Sequence, residues 1–210
     1  MRLLQNLIIA LMLCISATFP HFAFSQTPLP IHGETIRFAA GETRSGELFR
    51  PTTGKPGSWP GIVIVHDAAG VTDPIRDEAS NLAAHGYLVL VVNLYEGEPA
   101  SSTEDAQAKW HHLNHKTVMA TCEGAMGYLQ GWMADPELVG AVGWGAGGSL
   151  VLELAADQPQ LKAAVDKGGP SPLNDATFRQ ASGRTLILPE KQPDDALMLR
   201  FLDTRLKPKR

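Results

Sequence analysis

Unbroken apolar runs constrain this chain more than any other feature. "GIVIVHD" (61–67), "YLVLVVNLY" (87–95) and "ELVGAVGW" (137–144) lack polar alternation, and "LKAAVD" (161–166) and "RTLILP" (184–189) repeat the pattern more loosely. A strand that is apolar on both sides must be covered on both sides, the condition of a parallel sheet clothed by helices. The segments between them have helical spacing: "DPIRDEASNLAAHG", the long "TEDAQAKWHHLNHKTVMATCEGAMGYLQGW", "GGSLVLELAAD" and "PDDALMLRFLDTRL". This alternation predicts an α/β protein, a three-layer sandwich around a mostly parallel sheet, with ligands gathered at the carboxyl ends of the strands. Upstream, "ETIRFAAGETRSGELFRPT" alternates loosely and turns at Gly41-Glu42, which predicts a strand pair at the sheet edge.

With 210 residues, 44% of them hydrophobic and 19% charged, the chain has the composition of one globular domain with its own core. Residues 1–25 read as a secretory signal: one charge at Arg2, the apolar stretch "LLQNLIIALMLCISATF", then Ala23-Phe24-Ser25 before Gln26, with small residues where a signal peptidase reads. The expected mature domain is 26–210, exported to a periplasm or secreted, with no stable membrane anchor once the signal is cleaved. Cys14 leaves with the signal, and Met12-Leu13 lack the small residue that lipid attachment needs. Cys122 then remains the single mature cysteine, so no internal disulfide is expected. The formal net charge is −4, and removing Arg2 makes it more negative, which argues against nucleic acid as a partner. The basic end "RLKPKR" reads as a solvated helix terminus.

The stretch "GWGAGG" (143–148) has the layout of a strand turning sharply into a helix. Together with "PGIVIVHDAAGV" and "NLAAHGYLVLVVNLYEG" it carries a resemblance over about residues 34 to 190. The three stretches, in order, are similar to those of the dienelactone hydrolase family of α/β-hydrolases, which read roughly H-E-x-x-G, L-A-x-x-G-Y-x-x-x-x-P-D-L-Y and G-x-C-x-G-G. The resemblance implies an α/β-hydrolase-like fold and hydrolysis of an ester or lactone by a Cys or Ser, an Asp and a His, with no cofactor.

Each catalytic role, carried onto this sequence, meets a departure. The nucleophile's position is Gly145. "LPEKQP" (188–193) aligns with the family's G-E-K-D-P and puts Gln192 at the acid, while Asp194 and Asp195 suit the start of the last helix. All seven histidines lie at or before His115, whereas the family's histidine follows the elbow. The final strand and its histidine loop are therefore expected to be missing, a C-terminally truncated version of the fold. What survives side-chain replacement is the pair of backbone donors that hold a carbonyl oxygen, here Ala68 and Ala146. Asp67 stands where the family has glutamate, Trp144 lies beside the turn, and Glu96 and Glu98 near the rim disfavour a carboxylate substrate.

The expectation is an exported, dienelactone-hydrolase-like protein without the family's catalytic route, retaining a pocket for a small molecule or a partner. The alternative is an active ester or lactone hydrolase using rearranged residues near Asp67 and His66. Three other signals have bland readings. Gly143, Gly145 and Gly148 satisfy G-x-G-x-x-G, but late in the chain and with the same glycines explained by the elbow. Ser149 lies inside the helix rather than on the turn. His111, His115 and Cys122 fall on one line of the predicted long helix, a polar face with a half-buried thiol, since Cys122 is too far along to join two histidines around a metal.

Overall fold

The computed structural model describes residues 30–132, 134–170, 181, 183–189 and 194–207. The signal segment 1–25 and Gln192 lie outside the described residues. Among the described residues seven strands, β1 (Glu34–Ala40), β2 (Glu42–Phe49), β3 (Trp59–Val65), β4 (Leu88–Val92), β5 (Ala134–Trp144), β6 (Ala163–Lys167) and β7 (Thr185–Leu188), form one sheet in the order β1-β2-β4-β3-β5-β6-β7. β1 pairs antiparallel with β2 and β2 antiparallel with β4; β4, β3, β5, β6 and β7 are parallel. The edge hairpin turns as expected, with Gly41 at φ 77° and Ala40 paired with Glu42.

Among the described residues there are five helices, α1 (Asp73–Ala84), α2 (Thr103–His112), α3 (His115–Trp132), α4 (Ala146–Asp157) and α5 (Asp195–Leu206), and α1, α3, α4 and α5 pack on the sheet. Side chains alternate between two cores. Val63, Val65, Leu88, Leu90 and Val92 join one with Cys122, Met126 and Leu129 of α3 and Val151 and Leu154 of α4. Ile62, Ile64, Val89 and Val91 join the other with Ile75, Ala79 and Leu82 of α1 and Met198, Leu202 and Leu206 of α5. These two apolar faces on every central strand explain the unbroken runs in the sequence, and they make the three layers.

The long helical segment predicted over 103–132 is two helices, not one. The chain breaks at Leu113-Asn114, where Asn114 Oδ1 accepts from the Thr117 amide at 3.1 Å and caps α3. α2, which starts on a Ser102 cap, has no buried residue, whereas α3 packs into the core. His111 and His115 consequently sit on different helices, and the premise that they share a helix line with Cys122 is corrected. The Cys122 thiol is fully buried rather than half-buried, and burial pushes it up to about 12. Among the described residues no three His, Cys, Asp or Glu side chains form a metal-sized cluster.

Candidate functional site

From β3 the chain crosses through α1 to β4 on one side, then through α2 and α3 to β5 on the other. A crevice forms where such a topology reverses. The register makes it level: Val65 pairs with Gly143, and Gly143 pairs with Asp166, so the loops that follow Val65, Trp144 and Lys167 leave the sheet side by side.

The β5 loop is the sharp turn. Gly145, with φ 47° and ψ −123°, caps α4 in a backbone region that side chains rarely enter. Its amide donates to the Lys167 carbonyl at 3.0 Å, and its carbonyl accepts from the Gly148 amide at 2.9 Å. The neighbouring glycines allow backbone to touch backbone. A Cβ on Gly147 would stand 2.5 Å from the Val65 carbonyl oxygen; one on Gly143 would strike the Gly147 carbonyl; one on Gly148 would occupy the place of Asp166 Oδ1. The tight joint of strand and helix expected from Gly143, Gly147 and Gly148 is therefore present, with the family's elbow shape and no side chain at its tip.

The β3 loop is pinned at every residue. Asp67 Oδ1 accepts from the Ala69 amide at 2.9 Å, and the Gly70 amide donates to the Asp67 carbonyl at 3.1 Å. Tyr95 donates to the Ala68 carbonyl at 2.7 Å, and burial together with the Asp67 charge raises its hydroxyl to about 12. Asp67 faces the vacated position: its Cβ lies 3.1 Å, and its Oδ2 3.8 Å, from where a Cβ on residue 145 would stand. The Ala146 amide opens α4 and has no intrahelical acceptor. The Ala68 amide has no backbone acceptor among the described residues.

His66 is committed elsewhere. It is wholly buried; Nε2 accepts from the Leu94 amide at 3.1 Å, which places the proton on Nδ1, 2.6 Å from the Asp67 carbonyl oxygen. Burial lowers its pKa and favours this neutral form. A mechanism enlisting His66 as a base would have to break both bonds. Glu96 is corrected in its turn: held at φ 53°, it bends back so that Oε1 accepts from the Ser45 amide at 2.9 Å, and it does not project into the cleft. Glu98 lines a separate cleft of about 400 Å³ between this loop and α2. Ser149 donates to the Pro170 carbonyl at 2.5 Å, an ordinary helix residue that ties down the next loop.

An open cleft of about 630 Å³ lies over the elbow, lined by Gly145, Ala146, Gly168, Gly169, Pro170 and the Ile187–Pro189 stretch. Beneath it are two charges the apolar-run reading passed over. Asp166 is fully buried; Oδ1 accepts from the Gly169 amide at 2.7 Å, while Oδ2 has no partner among the described residues, and burial raises its pKa. Lys167, on the opposite face of β6, pairs with buried Glu78 of α1 and, at 2.9 Å, with Asp195, and its ammonium lies 4.4 Å from the centre of the Trp144 ring. Asp194 caps α5 by accepting from the Leu197 amide at 2.8 Å. Both acids thus start the last helix, and Asp195 also closes the ion network. The signal available in the sequence was the "DKGG" that ends an otherwise apolar strand.

The strand order, the parallel core and the glycine elbow define an α/β-hydrolase. Within that class the chain belongs to the dienelactone hydrolase family, whose model matches residues 46–188. Over 129 residues it is 30% identical to a probable 2-oxo-3-(5-oxofuran-2-ylidene)propanoate lactonase of Bradyrhizobium sp, covering 60% of this chain and 51% of that protein. Among solved structures, that titled m3DLH is 26% identical with a TM-score of 0.65, covering 85% of this chain and 79% of the other. The dienelactone hydrolase of Anabaena variabilis, 20% identical, shares the fold with a TM-score of 0.58, covering 85% and 82%. The chain spans about half the length of the curated relatives it matches.

Proposed function

We propose that this chain is an exported member of the family that holds a small carbonyl compound in the cleft over Gly145 without turning it over by the family's nucleophilic route. One observation carries the reading. The elbow keeps the strained shape that presents a nucleophile, and the residue in that shape is a glycine. Amide donors at Ala68 and Ala146 remain to hold an oxygen, because backbone groups do not depend on the side chains lost. The substrate class of the relatives, esters and lactones, supplies the carbonyl such donors fit. Trp144, whose ring centre lies 4.4 Å from the Lys167 ammonium, is not among the residues that line this cleft.

The purified protein should show no ester or lactone hydrolysis that scales with its concentration, using p-nitrophenyl acetate and dihydrocoumarin as substrates. A rate proportional to protein and abolished by Asp67→Ala would instead establish a rearranged hydrolase. Export rests on residues 1–25; material recovered outside the cytoplasm should begin near Gln26, and an intact Met1 there would overturn cleavage.

A further inference from the structure

The ten residues of α2 bury nothing. α1, α4 and α5 each set an apolar row into the core, and α3 places Cys122, Met126 and Leu129 there. Among the described residues α2 makes no extended contact with another helix or strand. It is seated only by partly buried Trp110 and, at its end, Leu113, against the core that α3 shares with α4. Elements held by so little apolar burial are the ones that open locally.

Open space lies on both sides of this helix. The cleft of about 400 Å³ runs between Ala108 and His112 of α2 and Leu94 and Tyr95 of the β4 loop. A second cleft, of about 370 Å³, runs between Trp110 and His111 of α2 and Val118 and Leu150 of α3 and α4. Leu113 lines both, so one side chain is their shared wall.

The helix is flanked by two extended residues, Ser102 at φ −154° and ψ 172° and Leu113 at φ −66° and ψ 130°. Torsional change at such positions moves a helix without breaking its own hydrogen bonds. The loop before it is fixed: the Ala100 amide donates to the Ala69 carbonyl at 2.8 Å, and Pro99 Cα stands 2.9 Å from where a Cβ on Gly70 would be. Lys109 ties α2 to that loop, donating to the Glu98 carbonyl at 3.0 Å and the Pro99 carbonyl at 3.2 Å, with its ammonium 5.6 Å from the centre of the Tyr95 ring. Its pair with Asp105 at 3.4 Å lies within α2 and travels with it. Asp105 also accepts from the Ser101 amide at 2.8 Å, at the pivot itself.

We propose that α2 is a hinged gate between the two clefts, swinging on Ser102 and Leu113, with Lys109 as its latch and Leu113 as the wall it moves. When Lys109 lets go, Leu113 leaves its seat and the clefts become one space from Tyr95 to Leu150. The gate lies apart from the cleft over Gly145 and does not depend on what binds there. The test is ¹⁵N relaxation dispersion on the intact protein. Amides 103–112 should exchange with a minor state at one shared rate on the microsecond-to-millisecond scale of hinge motions, while amides 118–129 of α3 stay flat. Lys109→Met keeps the stem and removes the donors, so it should raise the minor population about fivefold, the loss of about one net hydrogen bond; Lys109→Arg should stay near the wild type. Exchange that emerges only in Lys109→Met supports the gate equally, as one held shut by its latch. Flat profiles over 103–112 in both proteins, a minor state that α3 shares, or a population that Lys109→Met leaves unchanged would overturn it.

Discussion

Placing a hydroxyl or thiol at position 145 asks whether one residue accounts for the loss of the family's chemistry. Among the described residues beyond its chain neighbours, a Cβ there meets only Asp67 within 4 Å, and the histidine of that loop is locked between the Leu94 amide and the Asp67 carbonyl. Gly145→Ser therefore gains a nucleophile without an imidazole to take its proton, and multiple turnover of p-nitrophenyl acetate should remain undetectable. Gly145→Cys should acylate once by its own thiolate and stall, a mass shift without turnover. Either change should also lower stability by about 1–3 kcal/mol, because a non-glycine residue is forced to positive φ, with Asp67 Cβ only 3.1 Å away. Sustained turnover by either variant would reveal a base elsewhere. Two other single residues set a pH dependence of opposite signs. Burial raises Asp166 above its ordinary range, so the folded state favours its protonated form, and the stability it confers is lost as pH rises from about 4 through the raised value. Burial lowers His66, so its contribution is present above about pH 6.5 and is lost as pH falls through the depressed value. Asp166→Asn should therefore gain on the wild type as pH rises above 4, measured by urea midpoints across pH; a constant difference would mean that Asp166 does not titrate on unfolding.

Among the elements, the break between α2 and α3 depends on one side chain. Asn114→Ala removes the Oδ1 that satisfies the Thr117 amide and should cost about 1 kcal/mol by thermal denaturation; no loss would mean that water caps the helix as well. The same break shows where sequence reading stops. The central strands were legible because both faces are covered, so every residue from Ile62 to Val65 and from Leu88 to Val92 had to be apolar. The elbow was legible because its glycines are required by backbone contact, which leaves little else possible at Gly143, Gly147 or Gly148. The 103–132 segment keeps helical spacing across its break, and a two-residue cap with Asn114 looks like one more polar position. His66 read as a candidate base because its residue type carries chemistry; only the fold shows both nitrogens consumed. Asp166 and Lys167 were hidden for the converse reason: charges at a strand's end read as its solvated exit, yet here they lie under a loop and two helices.

Across the whole molecule, the Lys167 network joins layers that the apolar core holds only by shape. Lys167 at the end of β6 reaches α1 through Glu78 and α5 through Asp195, with Trp144 of β5 against its ammonium. The Lys167 and Glu78 side chains are 2% and 6% exposed, whereas Asp195 is 56% exposed. That asymmetry decides what each deletion costs. Lys167→Met leaves Glu78 buried without its cation; Glu78 is already raised by burial and lowered chiefly by Lys167. Breaking a buried pair in this way costs about 3–5 kcal/mol, whereas Asp195→Ala removes a solvated partner and should cost no more than about 1 kcal/mol. Removing both buried charges together is different in kind, since a desolvated pair replaced by apolar groups of similar volume is often neutral. The double variant Lys167→Met with Glu78→Leu should thus recover most of the stability lost by Lys167→Met alone, measured by urea denaturation at pH 7. Its loop should nevertheless hold the elbow less firmly, because the Lys167 carbonyl that receives the Gly145 amide is positioned by the same residue. Hydrogen exchange at the Gly145 amide would then be faster in the double variant at matched stability. Additive losses in the double variant would show that the charges act separately, and the clamp between the layers would have to be sought in the apolar packing of α1 and α5 alone.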